Sequence, residues 1–495
     1  MTGREQVPAE RISFGTDGWR AVVADDFTYA NVRFVSQGVA AYLAHVSPEK
    51  AVVVGHDTRF CAELFAREVA RVLAANRRPV LLLDGPAPTQ VSAWTVVDRG
   101  AAGGVVVTAS HNPPEFNGLK YKPDYGGSAG PEVVARLEEE TARAQAVGVH
   151  AMGFDEAVAA GLVEMVDPRP AYAAQLARIV DLDAIRSRGL TVLHDAMYGA
   201  GAGYIASLLA GGATRVTGLH QERNPGFGGL HPEPIAVNLG DAIATIRAGG
   251  IDLGIANDGD ADRVGILDEG GRFINQLEVA ALLMWHLCEQ RGWRGPVVRS
   301  ITSSSMLDRL GELYGCPVEE LPVGFKYLGP RMREVDAILG AEESGGFGVR
   351  GHLPERDGIL SGLLIAEMMV QAGQPLSAIL ARVYQLVGPH AYARRDVRFD
   401  REGYPERREA LYRRLRANPP STVAGEPVVR SRCDDGFKYW FGDGSWVLVR
   451  MSGTEPLLRV YSEAPAADRV ERLIAAMADL AQAELPAAPK GPAHG

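Results

Sequence analysis

Three times along 495 residues, a short β-branched run leads into a loop of small and polar residues and then into a helical pattern. The first run, 51–55, precedes His56-Asp57-Thr58-Arg59 and a helical stretch over 62–74. The second, 191–193, precedes His194, Asp195 and the small-residue segment 199–203. The third, 296–299, precedes a serine-rich loop over 300–305 and a helical stretch over 306–314. Strands alternating with helices predict α/β units around parallel or mixed sheets, because parallel strands need a crossover that is usually a helix. Three openings predict three similar mixed α/β domains, which suits the length at roughly 100–200 residues per domain. After Gly388-Pro389 the pattern changes. The segment 394–416 holds nine arginines and five acids, read as a solvated helix face with Glu406 and Glu409, and strand-like runs follow near Val428 and over 446–450. This predicts a C-terminal α+β domain. The expected divisions are 1–160, 161–268, 269–388 and 389–485, with a Pro/Ala/Gly-rich tail, 486–495, expected to be disordered.

Hydrophobic residues at 46% and charged residues at 23% are the balance of a globular protein and exclude disorder, collagen-like repeats and coiled coil. With 51 Lys plus Arg against 61 Asp plus Glu, the net charge of -10 argues against general nucleic-acid binding, which needs a basic face. An anionic substrate would need locally concentrated cations. Cys61, Cys288, Cys316 and Cys433 form no CxxC and lack a histidine at ligand spacing, so neither a zinc site nor a disulfide framework is expected. The polar stretch 1–12 lacks the apolar core of a signal peptide, and the longest apolar run, 279–288, is too short to cross a bilayer and reads as a buried helix. A cytoplasmic protein with no membrane partner is expected.

Four segments carry chemistry. In Thr108-Ala-Ser-His-Asn-Pro-Pro-Glu-Phe-Asn-Gly-Leu-Lys120, the apolar run 104–107 reads as a strand delivering Ser110 onto a loop stiffened by Pro113 and Pro114. A serine there, beside His111 and near Lys120, suits a nucleophile or phosphate carrier; the alternative is a polar turn whose side chains satisfy backbone groups. In Asn257-Asp-Gly-Asp-Ala-Asp-Arg263, between strand-like 251–256 and 264–268, Asp258, Asp260 and Asp262 can converge on one hard divalent cation. An EF-hand is disfavoured because Arg263 stands at the glycine position and strands replace the flanking helices. Three ligands leave room for water or phosphate oxygen, which suits Mg²⁺. Ala341-Glu-Glu-Ser-Gly-Gly-Phe-Gly348 offers acids and a hydroxyl for sugar hydroxyls, or else a helix-capping turn. Arg450-Met-Ser-Gly-Thr-Glu-Pro-Leu-Leu-Arg459 offers an anion nest beside a guanidinium fork, or else a surface turn.

Together with Phe14-Gly-Thr-Asp-Gly-Trp-Arg20, these segments resemble, in kind and order, those of the α-D-phosphohexomutase superfamily, from Phe14 to Arg459. The resemblance implies four domains in a heart-like arrangement around a central cleft, three of them α/β and the last of a different fold. It implies that Ser110 carries the transferable phosphoryl group. Asp258, Asp260 and Asp262 match the Mg²⁺ ligands, completed by an oxygen of phosphorylated Ser110. Glu342 and Ser344 match the pair that grips the sugar hydroxyls, and Arg450, Ser452, Gly453 and Thr454 match the loop holding the substrate's phosphate. Arg20, His111, Lys120 and Arg263 match positions lining the reaction centre, and Lys326, in 324–329, matches a ligand-reaching lysine of the glucose-specific branch.

The implied activity is interconversion of glucose 1-phosphate and glucose 6-phosphate through phosphoserine and glucose 1,6-bisphosphate, by a monomer or dimer. The attacking hydroxyl must lose a proton. Lys120 is preferred as its acceptor, provided neighbouring cations depress it from a free value near 10.4; His111 needs no such shift. Loops of the mannose- and glucosamine-accepting branches usually carry Gly, and Met or Gln, where this chain has Ala341 and Glu343. Glucose phosphate is therefore expected first, with phosphomannomutase or dual activity second. The rivals are a catalytically silent sugar-phosphate binding protein and a Mg²⁺-dependent phosphatase.

Overall fold

The computed structural model describes residues 12–15, 17–398, 404–451 and 457–484. The expected tail lies outside them. Four main sheets organise the described residues. The first contains β1 (Trp19–Val22), β2 (Val52–His56), β3 (Val80–Leu83), β4 (Gly103–Val107), β5 (Phe116–Pro123) and β6 (Val163–Val166), in the order β1-β5-β4-β2-β3-β6. The second contains β7 (Thr191–Asp195), β8 (Arg215–Leu219), β9 (Leu253–Asn257), β10 (Val264–Leu267) and β11 (Phe273–Ile274), in the order β11-β10-β9-β7-β8. The third contains β12 (Val297–Ser300), β13 (Val318–Leu321), β14 (Leu339–Ala341) and β15 (Phe347–Val349), in the order β13-β12-β14-β15.

One wiring recurs in all three. The opening strand (β2, β7 or β12) lies parallel between its two neighbours, and the strand on one side of it (β4, β9 or β14) turns back into an antiparallel partner. Each of those reversals is a loop that carries chemistry: Ser110 follows β4, the aspartates follow β9, and Glu342 follows β14. The EF-hand is thereby excluded, since strands flank the aspartate loop on both sides. The parallel strands β2 and β4 are buried throughout, which is why their sequences run apolar instead of alternating.

The fourth sheet is antiparallel. It contains β16 (Ala391–Arg398), then β19 (Arg430–Arg432), β20 (Phe437–Trp440), β21 (Trp446–Met451) and β22 (Leu457–Ala464), ordered β16-β22-β21-β20-β19, with a hairpin of β17 (Thr422–Val423) and β18 (Glu426–Pro427) set before β19. Of the arginine-rich segment, Arg394, Arg395 and Arg398 stand on β16 rather than on a helix. The helix Tyr404–Ala417 buries only Tyr404, Leu411 and Leu415.

Two expected divisions fall early. Val163–Val166 pairs with β3 in the first sheet, beyond 160, and Phe273–Ile274 pairs with β10 in the second, beyond 268. Both are short edge strands with no composition shift to mark them.

A single apolar cluster runs from Val53 through Val192 of β7 and Ile255 of β9 to Val387, joining the first three sheets, whereas residues 404–481 form a core of their own. At the centre of the shared cluster is the helix Gln276–Trp285, every residue of which after its first is buried. This is the apolar run expected to be a buried helix. Among the described residues no single helix is long and apolar enough to cross a membrane. Leu283 is 0% exposed on that helix, so Leu283→Ala should cost about 2–5 kcal/mol through lost contacts and a cavity. The expected outcome is a lowered midpoint, in urea, for the transition that unfolds the shared core.

Candidate active site

The serine loop is held from beneath. Ser110 is 1% exposed and takes a left-handed backbone, φ 53°, a conformation that costs a residue with a Cβ and persists only when the surroundings enforce it. The enforcing group is Arg59, itself 0% exposed. Its Nη1 donates to the carbonyls of Pro113 and Phe116 at 2.8 and 2.9 Å, and its Nη2 donates to those of Ser110, at 2.6 Å, and Asn112. Asp57 pairs with Arg59 Nε at 3.3 Å and accepts from Thr108 Oγ1 at 2.6 Å. Burial pushes the Asp57 carboxyl up to about 6 against the pull of Arg59. Within 56–59 nothing in the local sequence gives Arg59 this role.

The metal loop backs directly onto this serine. A side chain at Gly259 would put its Cβ 2.5 Å from the Ser110 carbonyl oxygen, so the loop's approach requires glycine. Asn257 staples the loop's ends, donating from Nδ2 to the Arg263 carbonyl at 2.8 Å, and Asp258 Oδ1 accepts the Arg263 amide at 3.0 Å. Ser110 Oγ donates to Asp258 Oδ2 at 2.9 Å. Carboxylate oxygens of Asp258, Asp260 and Asp262 lie within 4.8 Å of one another, and all three residues are 0% exposed. Oδ1 of Asp260 and Oδ1 of Asp262 are buried and have no hydrogen-bond partner. Hard oxygen donors, converging, with lone pairs left over, fit a hard divalent cation.

Lys120, on β5, lies opposite Val106 of β4 and is 1% exposed. Its Nζ reaches Asp260 Oδ2 at 2.7 Å, Asp262 Oδ2 at 2.9 Å and Asp17 Oδ2 at 2.7 Å. Burial opposes its charge, but the three carboxylates outweigh that and hold its pKa above the usual lysine value. The condition set for Lys120 as a base, depression by neighbouring cations, is therefore not met: its nearest charged neighbours are acids. His111 is shifted in the opposite direction. Burial, then Arg263 and Arg20, drive its imidazole well below the ordinary range, and its Nδ1 sits 3.4 Å from Ser110 Oγ. Arg20, on β1, donates to Asn112 Oδ1 at 2.7 Å, and Arg263 donates to Glu233 Oε1 at 3.1 Å.

The sugar loop joins the same cluster. Val264 N–H donates to the Gly345 carbonyl at 3.0 Å, and Gly345 takes φ 88° where a Cβ would meet Val264 O at 2.8 Å. Glu342 is 5% exposed, and burial raises its carboxyl although Arg356 opposes the shift. Arg356 binds this assembly together: it pairs with Asp17, with Asp262 Oδ2 at 2.9 Å and with Glu342 Oε2 at 3.7 Å. Nothing in the local sequence marks Arg356, and Asp17 carries no chemical signature of its own within 14–20. Glu343 turns away, accepting from Tyr392 Oη of β16 at 3.0 Å, and Ala341 is buried in β14, so neither residue used to separate the sugar branches joins this cluster. Ser344, between them and Gly345, is half-buried.

Lys326 and Arg450 stand on elements of the third and fourth domains. Lys326 is in the first turn of the helix Phe325–Val335, its Nζ 5.4 Å from the centre of the Tyr327 ring. Arg450 is on β21, with Nε donating to Asp435 Oδ1 at 2.8 Å. Ser452, Gly453 and Thr454 lie outside the described residues.

Two outcomes follow from this geometry. Asp260→Asn should abolish high-affinity divalent-cation binding in calorimetry, since one of three converging carboxylates is lost; retained affinity would move the metal elsewhere. Arg59→Lys keeps a charge but cannot reach four carbonyls at once, so amide exchange over 108–116 should rise about tenfold or more while the helix Ala62–Ala75 keeps its protection.

Sequence and structure comparisons agree along the chain. The models described as Phosphoglucomutase/phosphomannomutase, alpha/beta/alpha domains I, II and III match residues 11–147, 170–271 and 275–387, and the C-terminal domain model matches 408–480. A phosphoglucomutase/phosphomannomutase of Thermococcus kodakarensis is 30% identical over 465 residues, covering 93% of this chain and 96% of its own. A probable phosphoglucosamine mutase of Methanopyrus kandleri is 31% identical over 462 residues, covering 93% and 95%. The crystal structure of a putative phosphomannomutase from Thermus thermophilus superposes with a TM-score of 0.83 at 35% identity, over 95% of this chain and 99% of that one. With four family domains in order around a serine, an aspartate triad and a buried lysine, the chain belongs to the phosphoglucomutase/phosphomannomutase family of the α-D-phosphohexomutase superfamily and is a phosphohexomutase.

Proposed function

We propose that the protein is a phosphoglucomutase, interconverting glucose 1-phosphate and glucose 6-phosphate through phosphorylated Ser110 and a 1,6-bisphosphate. The observation that carries the phosphoserine reading is the 2.9 Å contact of Ser110 Oγ with Asp258 at the junction of two sheets, beside a buried lysine. In the forward direction the 6-hydroxyl oxygen attacks the phosphorus of phosphoserine. The bond from phosphorus to Ser110 Oγ breaks, and the hydroxyl proton passes to an acceptor. The bisphosphate turns over, its 1-phosphate is returned to Ser110, and glucose 6-phosphate leaves.

Phosphoryl transfer asks the protein chiefly for position and charge balance. Asp258, Asp260 and Asp262 would hold Mg²⁺, which when bound offsets charge on the transferring group. Phosphoserine brings about -1.5 to -2 charges, and Arg20, Arg263 and Lys120 stand where they can offset it. Lys120 has three N–H groups, all directed to carboxylates, so its part is charge balance. His111, with Nδ1 3.4 Å from Ser110 Oγ, would then be the proton acceptor. Glu342 and Ser344 would bind sugar hydroxyls, Lys326 would reach the ligand, and Arg450, with Ser452, Gly453 and Thr454, would hold the phosphate already on the sugar.

Glucose preference rests on the 342–345 loop and the 324–329 segment resembling the glucose-specific branch. Phosphomannomutase or dual activity is the second reading, favoured by the names borne by the Thermococcus and Thermus proteins. The test is a coupled assay with glucose, mannose and glucosamine 1-phosphates in competition, with and without glucose 1,6-bisphosphate. Highest kcat/KM on the glucose ester, stimulated by the bisphosphate, is the expected outcome; a higher value on another ester displaces the glucose reading. Ser110→Ala should reduce turnover by at least about a thousandfold and leave sugar-phosphate binding within about threefold, because the phosphoryl carrier alone is lost. Substantial steady-state turnover by that variant would remove the phosphoserine mechanism.

A further inference from the structure

The seam between the third and fourth sheets contains a carboxylate with two assignments. Asp435 lies on the turn between β19 and β20 and is half-buried, with its side chain 20% exposed. Its Oδ1 accepts from Arg450 Nε at 2.8 Å, and its Oδ2 accepts the backbone N–H of Val323 at 2.7 Å. Val323 stands immediately before Gly324 and the helix that opens with Phe325 and Lys326. The approach of Asp435 to Arg450 is fixed by Gly436, which takes φ 92° and whose Cβ, if present, would lie 2.6 Å from the Val449 carbonyl and 3.1 Å from Arg450 Cβ.

We propose that Asp435 is a positioning residue: it fixes the guanidinium of Arg450 so that the Nη edge faces the substrate phosphate, and it ties that grip to the Lys326 segment. The inference rests on the reading of Arg450 as part of the phosphate grip. A guanidinium can take a phosphate bidentately through its Nη pair or through Nε and one Nη. With Nε committed to Asp435, the Nη pair remains, and among the described residues neither Nη of Arg450 has a hydrogen-bond partner. The same carboxylate then reports the position of the third sheet to the fourth. Around it the seam is polar: Arg432 donates to the Glu320 carbonyl at 2.9 Å, and Lys438 to Glu320 Oε2 at 2.6 Å and the Ile301 carbonyl at 2.7 Å. Those contacts dock the domain, whereas Asp435 is the seam acid that also holds a proposed phosphate ligand.

A rival role gives the opposite sign. If Asp435 only neutralises Arg450, its removal leaves a stronger cation and tighter anion binding. If it aims Arg450, removal weakens binding despite the gain in positive charge. The experiment uses the full chain and the hexose 6-phosphate, of glucose, mannose and glucosamine, that the wild type binds most tightly. Calorimetric Kd and steady-state KM and kcat are measured for Asp435→Asn, Asp435→Ser, Arg450→Lys and the double variant D435N/R450K, with thermal melting of each. Expected is a loss of affinity of about tenfold for either Asp435 variant, a smaller change in kcat, and no further loss on adding D435N to R450K, because a lysine has no Nε–H to be aimed. Unchanged or tighter binding by both Asp435 variants overturns the proposal, as does an equal loss in the R450K background. A wild type that binds hexose 6-phosphate without isomerising it would sink the proposed function while this mutant cycle still decides the role of Asp435.

Discussion

The architecture depends on a buried ammonium. Lys120 comes from the first sheet and meets Asp260 and Asp262 from the second, while Asp17, its third partner, also holds Arg356 from the third. Charges taken out of water are tolerable only when paired and hydrogen-bonded, and removing one partner of a buried pair costs about 3–5 kcal/mol. Asp17 and Lys120 pair within the first domain, but Asp260 and Asp262 find their cations, Lys120 and Arg356, only in the other two. The three sheets must dock for the charges to be neutral, and docking brings Ser110 against Asp258. Assembly of the tertiary structure and assembly of the site are therefore one event. An acidic chain can handle an anionic group in this way because Arg20, Arg59, Lys120, Arg263 and Arg356 are concentrated in one place, each balanced against a named carboxylate or carbonyl.

The recurrent wiring gives this convergence its logic. A parallel strand that ends and reverses into an antiparallel neighbour leaves a tight loop at the carboxyl edge of the sheet, where ligands of open α/β sheets bind. The chain uses that reversal three times, after β4, β9 and β14, for serine, aspartates and glutamate. Glycine appears where two such loops touch: Gly259 against Ser110 and Gly345 against Val264. Backbone contact between loops of different sheets fixes their relative positions more tightly than side chains could, and Arg59 completes the effect by holding four carbonyls from below.

Much of this was legible from local sequence. The runs 51–55, 104–107 and 264–268 overlay β2, β4 and β10 to within about a residue, because buried strands are apolar and end at turn residues. The aspartate loop could be read as a cation site since three carboxylates at alternate positions have few other uses. What local sequence could not show was pairing at a distance. Arg356 and Asp17 are 339 residues apart, and nothing near either announces the other. The depression that would let Lys120 act as a base is absent for the same reason: no acid stands within three residues of it in the chain, while three surround it in space. Glu343 looked like a sugar contact from its place in the motif, yet Tyr392 of the fourth sheet holds it. In each case the missing information was which sheet lies opposite.

The fourth domain stands in a different physical relation to the rest. The first three sheets share one apolar cluster, so separating them would expose a core, whereas residues 404–481 pack around their own. Across the remaining seam the apolar contribution is small, centred on Ile301, Trp446, Leu448 and Tyr461. Most of its named contacts are hydrogen bonds and ion pairs, from Arg432, Lys438, Asp435 and Tyr392. Polar groups can exchange protein partners for water at little net cost, about 0.5–1.5 kcal/mol per hydrogen bond, but an apolar core cannot. The seam is therefore the least costly place for the molecule to open. In the proposed reaction a bisphosphate must release one end, reverse and be gripped again while Ser110 and the aspartates stay in register. A three-sheet body with a shared core for the transfer chemistry, and a separately cored domain for the phosphate grip across a polar seam, would meet those two demands without conflict.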